Sequence, residues 1–379
     1  MKNIAVVIPK YGLVGGAEQF AAELTQKIRI SHPYDFSVFA NQWSNRHTEA
    51  TFHKVPIISF PKFLTTLSFA YFVRRRLAAG SFDIIHTHER IFAADLHTLH
   101  GVPHRYWIHR VRRKQMSLYD AATAWVERRL VYEGDCKKFV AVSQLTKEVF
   151  LQTYPLHPDR VAVIHPGVTL ADYGQKDKDL VRRDVRRAWG IGNTDPVIIF
   201  ASMNFEIKGL DNILRSLGQL KRQNIHFKLI VAGKGNTRKY TKLAEEAQIS
   251  ENVIFTGILD KKSLSDLYLA GDLYMMLSKF DTFGMVVLEA MAAGLPVMIS
   301  SHVGARDLVD EGKNGFVISD PSDHHFIASK LNILLDENVR KRMSAAAYQT
   351  ATRNTWDIVA AKYSDIYQDI LEAKHKKGS

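Results

Sequence analysis

Asp281 and Glu289 stand eight positions apart in Ser278-Lys279-Phe280-Asp281-Thr282-Phe283-Gly284-Met285-Val286-Val287-Leu288-Glu289. The stretch reads as the entrance of a helix that begins near 283–285 and stops at Gly294, with Pro296 just beyond, the usual order at a helix end. Asp281 then precedes the first turn. There the free N–H groups of Phe283, Gly284, Met285 and Val286, with the positive end of the helix dipole, can hold phosphate or sugar oxygens. Gly284 lets a ligand come close to the backbone. If the whole span were helical, the two acids would lie roughly 12 Å apart, beyond the ~5–9.5 Å of a glycosidase acid pair. They suit the two ends of one elongated ligand. A nucleotide sugar has hydroxyls at each end and a diphosphate between. Taken singly, Glu289 reads equally as a partnered buried acid, and Lys208-Gly209 as a surface turn.

In the first half a second Gly-containing turn, Gly15-Gly16, follows the apolar run Ile4–Ile8 and precedes a helix near Ala17. Such a turn admits phosphate to its backbone, but it lacks the full dinucleotide fingerprint. His97, His100 and His104 lie close together, with Gly101 after the second. His86 and His88 end an apolar run and suit either a site or a core. Asp177-Lys178-Asp179 does not end an apolar strand and reads as solvated linker, so no metal ligand is assigned.

The elements that must position these residues alternate. Strands are predicted at 4–9, 36–39, 54–58, 84–86, 139–142 and 161–165, with helices at 17–30, 64–77, 121–131 and 144–151. After a charged stretch the alternation restarts: strands at 197–202, 227–233, 253–256, 273–277, 296–300 and 315–318, helices at 211–223, 237–248, 262–270 and 285–293. This is the pattern of α/β, doubly wound parallel sheets. The expected organisation is a first domain over 1–172, a linker and hinge over 173–195, and a second domain over 196–355. Two such domains can face each other across a cleft and bind a donor and an acceptor separately.

The chain has 379 residues, 46% hydrophobic and 24% charged, as a soluble globular protein of two domains does. Its single cysteine, Cys136, excludes an internal disulfide framework and fits a reducing, cytoplasmic setting. No secretory leader and no run of about 20 apolar residues is read. The net charge of +12 calls for an anionic partner. Two stretches, from Lys62 to Leu77 and from Arg105 to Lys114, combine basic with aromatic and apolar residues. They suit an anionic membrane surface, to which the protein would be peripheral, or a phosphorylated glycolipid acceptor. No motif supports nucleic acid as the partner.

In order and spacing these pieces resemble the retaining glycosyltransferases of family 4, which have the GT-B fold of two Rossmann-like domains. The resemblance is carried by Gly15-Gly16-Ala17-Glu18, Asp83-Ile84-Ile85-His86-Thr87-His88, Val142-Ser143, Pro166-Gly167-Val168, Lys208-Gly209, Val231-Ala232-Gly233-Lys234-Gly235, Phe255-Thr256-Gly257, the 281–297 stretch, and Gly304 with Asp307. More narrowly it extends to glucosyltransferases of lipopolysaccharide core. It implies catalytic roles for Asp281 on the transferred sugar, Lys208 on the departing diphosphate and His100 on the sugar's primary hydroxyl. It also implies donor binding by Gly15, Gly16, Phe283, Gly284, Met285, Val286 and Glu289, the last on the ribose. A UDP-hexose is the leading donor and a glycan or glycolipid the acceptor, with no cofactor and no metal, Lys208 and the helix dipoles doing a divalent ion's work. A terminal helix over 356–374 would pack back on the first domain. Two departures stand out. Asp281 replaces the family's usual glutamate, and Met203 stands where arginine is common. A sugar-nucleotide 2-epimerase of the same fold is the alternative among enzymes. A lectin-like or nucleic-acid-binding protein is the alternative outside them.

Overall fold

The computed structural model describes residues 1–13, 15–44, 50–174 and 177–378, and the chain forms two compact units. One holds Met1–Gly167 with the returning segment from Trp356 onward, the other Val168–Thr355.

The first unit's strands are β1 (Lys2–Val7), β2 (Lys10–Tyr11), β3 (Tyr34–Ala40), β4 (Gln42–Trp43), β5 (Thr51–Lys54), β6 (Ile84–Thr87), β7 (Leu96–Leu99), β8 (Lys138–Ala141) and β9 (Val161–Val163). Seven of them form a parallel sheet in the order β5-β3-β1-β6-β7-β8-β9, and β2 pairs with β4 apart from it. The second unit has β10 (Val197–Ser202), β11 (Lys228–Gly233), β12 (Val253–Gly257), β13 (Leu273–Met276), β14 (Val297–Ser300) and β15 (Gly315–Ile318). They form a parallel sheet in the order β12-β11-β10-β13-β14-β15. The central strand β13 is buried along its whole length, at Leu273, Tyr274, Met275 and Met276. Continuous burial is what helices on both faces of a parallel sheet impose. Strand order reverses between β1 and β6 in one sheet and between β10 and β13 in the other, the switch points where such sheets open a crevice.

Four expectations need correction. The predicted strand at 54–58 lies instead at Thr51–Lys54; after Val55, whose N–H reaches Ala40 O at 2.8 Å, Pro56 has no donor with which to continue the ladder. The interior strand Leu96–Leu99 went unread because two of its four residues, His97 and Thr98, are polar yet buried. The helices His324–Leu335 and Glu337–Thr352 also went unread.

The fourth concerns 173–195, in which Gln175 and Lys176 lie outside the described residues. It is no loose linker. It carries the helix Lys178–Ala188, N-capped by Asp177, whose Oδ1 accepts from the backbone of Asp179 and Leu180 at 3.1 Å each. That helix packs on the helix Lys261–Ala270 within the second unit. Arg186, only 1% exposed, donates to Asp272 Oδ2 at 2.7 Å and to the carbonyls of Gly192, Asn193 and Asp195. Arg182 takes the other oxygen of Asp272 at 2.7 Å. A run of charges reads as solvated until the one buried acid that gathers it is known.

The last helix, Trp356–Gly378, belongs to the first unit and packs on the helix Gly16–Ser31. Its buried Trp356, Val359, Ala360, Tyr363, Tyr367 and Ile370 follow helical spacing. Lys374 closes it, donating to Asp83 O at 2.8 Å and pairing with Asp95 at 2.7 Å.

Candidate active site

In the second unit the parallel topology brings together two motifs more than seventy residues apart. The turn after β10 carries Lys208, and the chain leaving β13 carries Asp281. Ile207 O accepts from the backbone of Lys279 at 2.8 Å and from the Ser278 hydroxyl at 3.0 Å, clamping turn to strand end. Gly209 is essential to that approach: its φ is +74°, and a Cβ there would lie 1.9 Å from Leu277 O. The Lys208 ammonium consequently meets Asp281 Oδ2 in a direct, partly buried ion pair.

Asp281 is fixed on all sides. Its N–H reaches His302 O at 2.9 Å, its carbonyl accepts from Gly304 at 3.0 Å, and its Oδ1 accepts from Phe283 N–H at 3.2 Å. Of the four backbone donors expected at this helix entrance, Phe283's is therefore bonded to the neighbouring acid. Gly284, with φ +89° and ψ +66°, is the N-cap of the helix Met285–Ala292, which has no side-chain cap. The N–H groups at Met285 and Val286 lie at the helix entrance without a side-chain acceptor among the described residues. Because only 285–292 are helical, the acids are not a straight helical span apart, and no hydrogen bond joins them.

Glu289 lies one turn into the helix, its carboxylate without hydrogen bond or ion pair among the described residues. Burial pushes its pKa up to about 7, with Lys261 pulling it down and Asp172 pushing it up. Lys261 and Asp172 pair with each other at 2.8 Å. Tyr173, Tyr268 and Tyr274 surround the acid; burial first, then Glu289, holds each phenol above its usual range. The Tyr274 hydroxyl donates to Ala201 O at 3.3 Å and feels both Glu289 and Asp281.

The first unit uses its own switch point. Gly15 (φ +154°, ψ +148°) caps the helix Gly16–Ser31 without a side chain; a Cβ would meet the Glu18 carboxylate at 2.1 Å, whereas Gly16 faces open space. Phe20 of that helix packs edge-on to His100 at 4.8 Å. His100 follows β7, His88 follows β6, and the two rings are hydrogen-bonded, Nδ1 of His88 to Nε2 of His100, at 2.8 Å. Burial lowers the His100 pKa to about 3, so the ring is neutral. The three neighbouring histidines now separate. His97 lies in the core against Phe139, His104 pairs with Asp120 at 2.8 Å, and His100 stands at the strand end beside Gly15 and Gly16's helix. His86 is a core residue.

Comparison with known proteins bears on this layout. The profile of glycosyl transferases group 1 matches residues 181–350, and that of glycosyltransferase family 4 matches residues 14–172. The chain belongs to the GT-B glycosyltransferases. It is 26% identical over 334 residues, 84% of this chain and 85% of the relative, to an uncharacterized glycosyltransferase of Methanocaldococcus jannaschii. Its fold is similar to that of WaaG, a glycosyltransferase involved in lipopolysaccharide biosynthesis, with TM-score 0.79 and 21% identity over 96% of this chain and 99% of that one. It is also similar to Anabaena HepE in complex with UDP and glucose, with TM-score 0.73 and 18% identity over 96% of this chain and 99% of that one.

Several neighbours of this glycosyltransferase's site were invisible in sequence. Tyr173, Tyr268 and Tyr274 look like core aromatics, and Asp172 and Lys261 like surface charges. His88 lay within a recognised motif, but its bond to His100 spans two strands. The two basic segments are brought near each other, since the helix Leu64–Leu77 and the short helix His104–Tyr106 both pack on the helix Leu118–Glu133. Arg74, Arg75, Arg76, Arg105, Arg110 and Arg112 are exposed there, with Tyr71 (50%) and Leu118 (76%). Among the described residues, no helix is long and apolar enough to cross a membrane.

Proposed function

We propose that this glycosyltransferase moves a hexose from a nucleoside-diphosphate sugar, foremost UDP-hexose, to a glycan or glycolipid such as lipopolysaccharide core, with retention at the anomeric carbon. The observation that carries the reading is the Lys208 ammonium held at the uncapped start of the Met285–Ala292 helix. A fixed cation and open backbone donors at one strand end suit a diphosphate. The UDP and glucose bound by a protein of the same fold support the choice of donor.

In this reading Lys208 and the N–H groups of Met285 and Val286 neutralise the diphosphate. Asp281 takes hydroxyls of the transferred sugar, Glu289 the ribose hydroxyls, and the Gly15-Gly16 turn the near side of the phosphates. His100 takes the primary hydroxyl. The acceptor oxygen bonds to the anomeric carbon on the face from which the β-phosphate oxygen departs, and that oxygen receives the acceptor's proton. Charge on the leaving group is balanced by Lys208, so the step calls on no divalent ion. The basic, aromatic surface over 62–77 and 105–114 would rest on anionic lipid, placing the enzyme in the cytoplasm and peripheral to the inner face of the membrane.

Thermal denaturation with UDP, GDP, ADP and their sugars tests the donor. A nucleotide at a hundredfold its Kd adds about 2.7 kcal/mol; stabilisation by UDP-hexose is expected, and none by any of the set would overturn the assignment. Full transfer in excess EDTA tests independence from metal, and the anomeric coupling constant of the product tests retention.

A further inference from the structure

β6 and β7 are adjacent and parallel, with His86 opposite Leu96 and Thr87 opposite His97. His88 and His100 emerge from their carboxyl ends and lie edge to edge, 5.1 Å between ring centroids and 21° from coplanar. His88 is held tightly. Its ring lies 4.2 Å from that of His86 and 6.0 Å from Phe20. His86 is in turn tied at both nitrogens, to the Tyr367 hydroxyl and to Thr98 Oγ1, each at 2.8 Å, and Thr98 meets Tyr363 at 2.9 Å. Two tyrosines of the terminal helix thus brace the frame in which His88 sits.

The 2.8 Å contact between His88 Nδ1 and His100 Nε2 holds one proton. Two bare nitrogens would repel, and two N–H groups would clash. Both rings are kept neutral by burial, so each carries one hydrogen. If His88 accepted at Nδ1, its own hydrogen would sit on Nε2. That atom is enclosed and has no hydrogen-bond partner among the described residues. An orphaned buried N–H is rarer and costlier than a bare lone pair. His88 therefore donates from Nδ1, His100 accepts at Nε2, and His100 carries its hydrogen on Nδ1.

We propose that His88 is a positioning residue of the transfer reaction, fixing the tautomer and ring plane of His100 so that its Nδ1 edge is a hydrogen-bond donor. The proposal rests on the reading that places His100 beside the transferred sugar, whose hydroxyl oxygen would accept from that edge.

Long-range 1H–15N spectra of the full chain with 15N-histidine, His100 being assigned by its loss in His100→Gln, give the tautomer directly. Wild type should show His100 protonated at Nδ1. His88→Phe keeps a flat ring without a donor; His100 should shift to the Nε2–H form, with kcat down about tenfold and the donor KM within about twofold. His88→Asn puts an amide N–H where Nδ1–H stood and should restore the tautomer and most of kcat, whereas His88→Gln should not. An Nε2–H form in wild type, or a His88→Phe variant with unchanged tautomer and kcat, overturns the proposal. If His88→Phe does not fold, the wild-type tautomer and the Asn and Gln pair decide. Full activity of His100→Ala alongside an Nδ1–H wild type would instead sink the placement of His100 at the sugar, leaving its contact with His88 as found.

Discussion

Both sheets of this glycosyltransferase put polar groups at the carboxyl ends of strands beside a topological switch, but the two sets behave oppositely. In the first unit the groups are imidazoles: His86, His88, His97 and His100, all buried enough to be held neutral. In the second they are charged or poised to be: the Lys208–Asp281 pair and Glu289, unpartnered among the described residues. The contrast follows from what each end is packed with. The histidines are enclosed by aromatic rings and by the terminal helix's Tyr363 and Tyr367. The Lys208–Asp281 pair forms on tight Gly turns whose backbones approach closely and leave the side chains partly open. Similar architecture therefore yields a buried, neutral imidazole cluster in one unit and a partly open ion pair in the other.

The largest test removes the cation of that pair. Lys208→Ala should lower kcat by about 10²–10³, the usual cost of one preorganised charge-stabilising group, with little change in Tm. A loss under tenfold would mean the cation is structural. The opposite test targets the neutral imidazole cluster through pH. The pKa of His86 is lowered to about 3, so its stability contribution is complete above about 6.5 and falls as pH drops toward 3. By pH 4.5 that is about 2–3 kcal/mol for this residue, measurable as the urea midpoint.

Glu289 has the reverse sign. Its pKa, raised to about 7, makes its contribution complete below about 4.5 and lost as pH rises through 7, up to about 3 kcal/mol. Glu289→Gln should flatten that alkaline slope while raising the donor KM; an unchanged slope would show the acid to be better solvated than its surroundings imply. The smaller test asks whether the turn is as tight as it looks. Gly284→Ala forces an alanine to φ +89° with Met276 Cε 2.9 Å from its Cβ, and should cost about 1–3 kcal/mol. Last, Asp281→Glu restores the longer acid usual in the family and should change the ranking among donor sugars more than the overall rate.

Much of the fold could be read from periodicity: the helix Leu64–Leu77 and the strand Val197–Ser202 lie where their patterns put them. Two elements are masked in the pattern by polar residues in buried places. Leu96–Leu99 was hidden by His97 and Thr98, and Lys178–Ala188 by charges that converge on Asp272. In the candidate site, Asp281, Gly284 and Glu289 stood out in the sequence through their spacing at a helix entrance, and Lys208 through the family resemblance. Tyr173, Tyr268 and Tyr274 did not, since a buried aromatic beside an acid and one packed among apolar side chains look alike in sequence.

By itself, the sequence determined the two α/β units, the glycines that only left-handed or close-packed backbone can use, and the acids and lysine available for chemistry. These are local properties of residue type and spacing. The tertiary structure decided the partnerships: Lys208 with Asp281, His88 with His100, and Arg186 with Asp272. Each joins residues that are distant in the chain or on separate strands, and a parallel sheet sets such neighbours by strand order, which side-chain pattern alone does not specify.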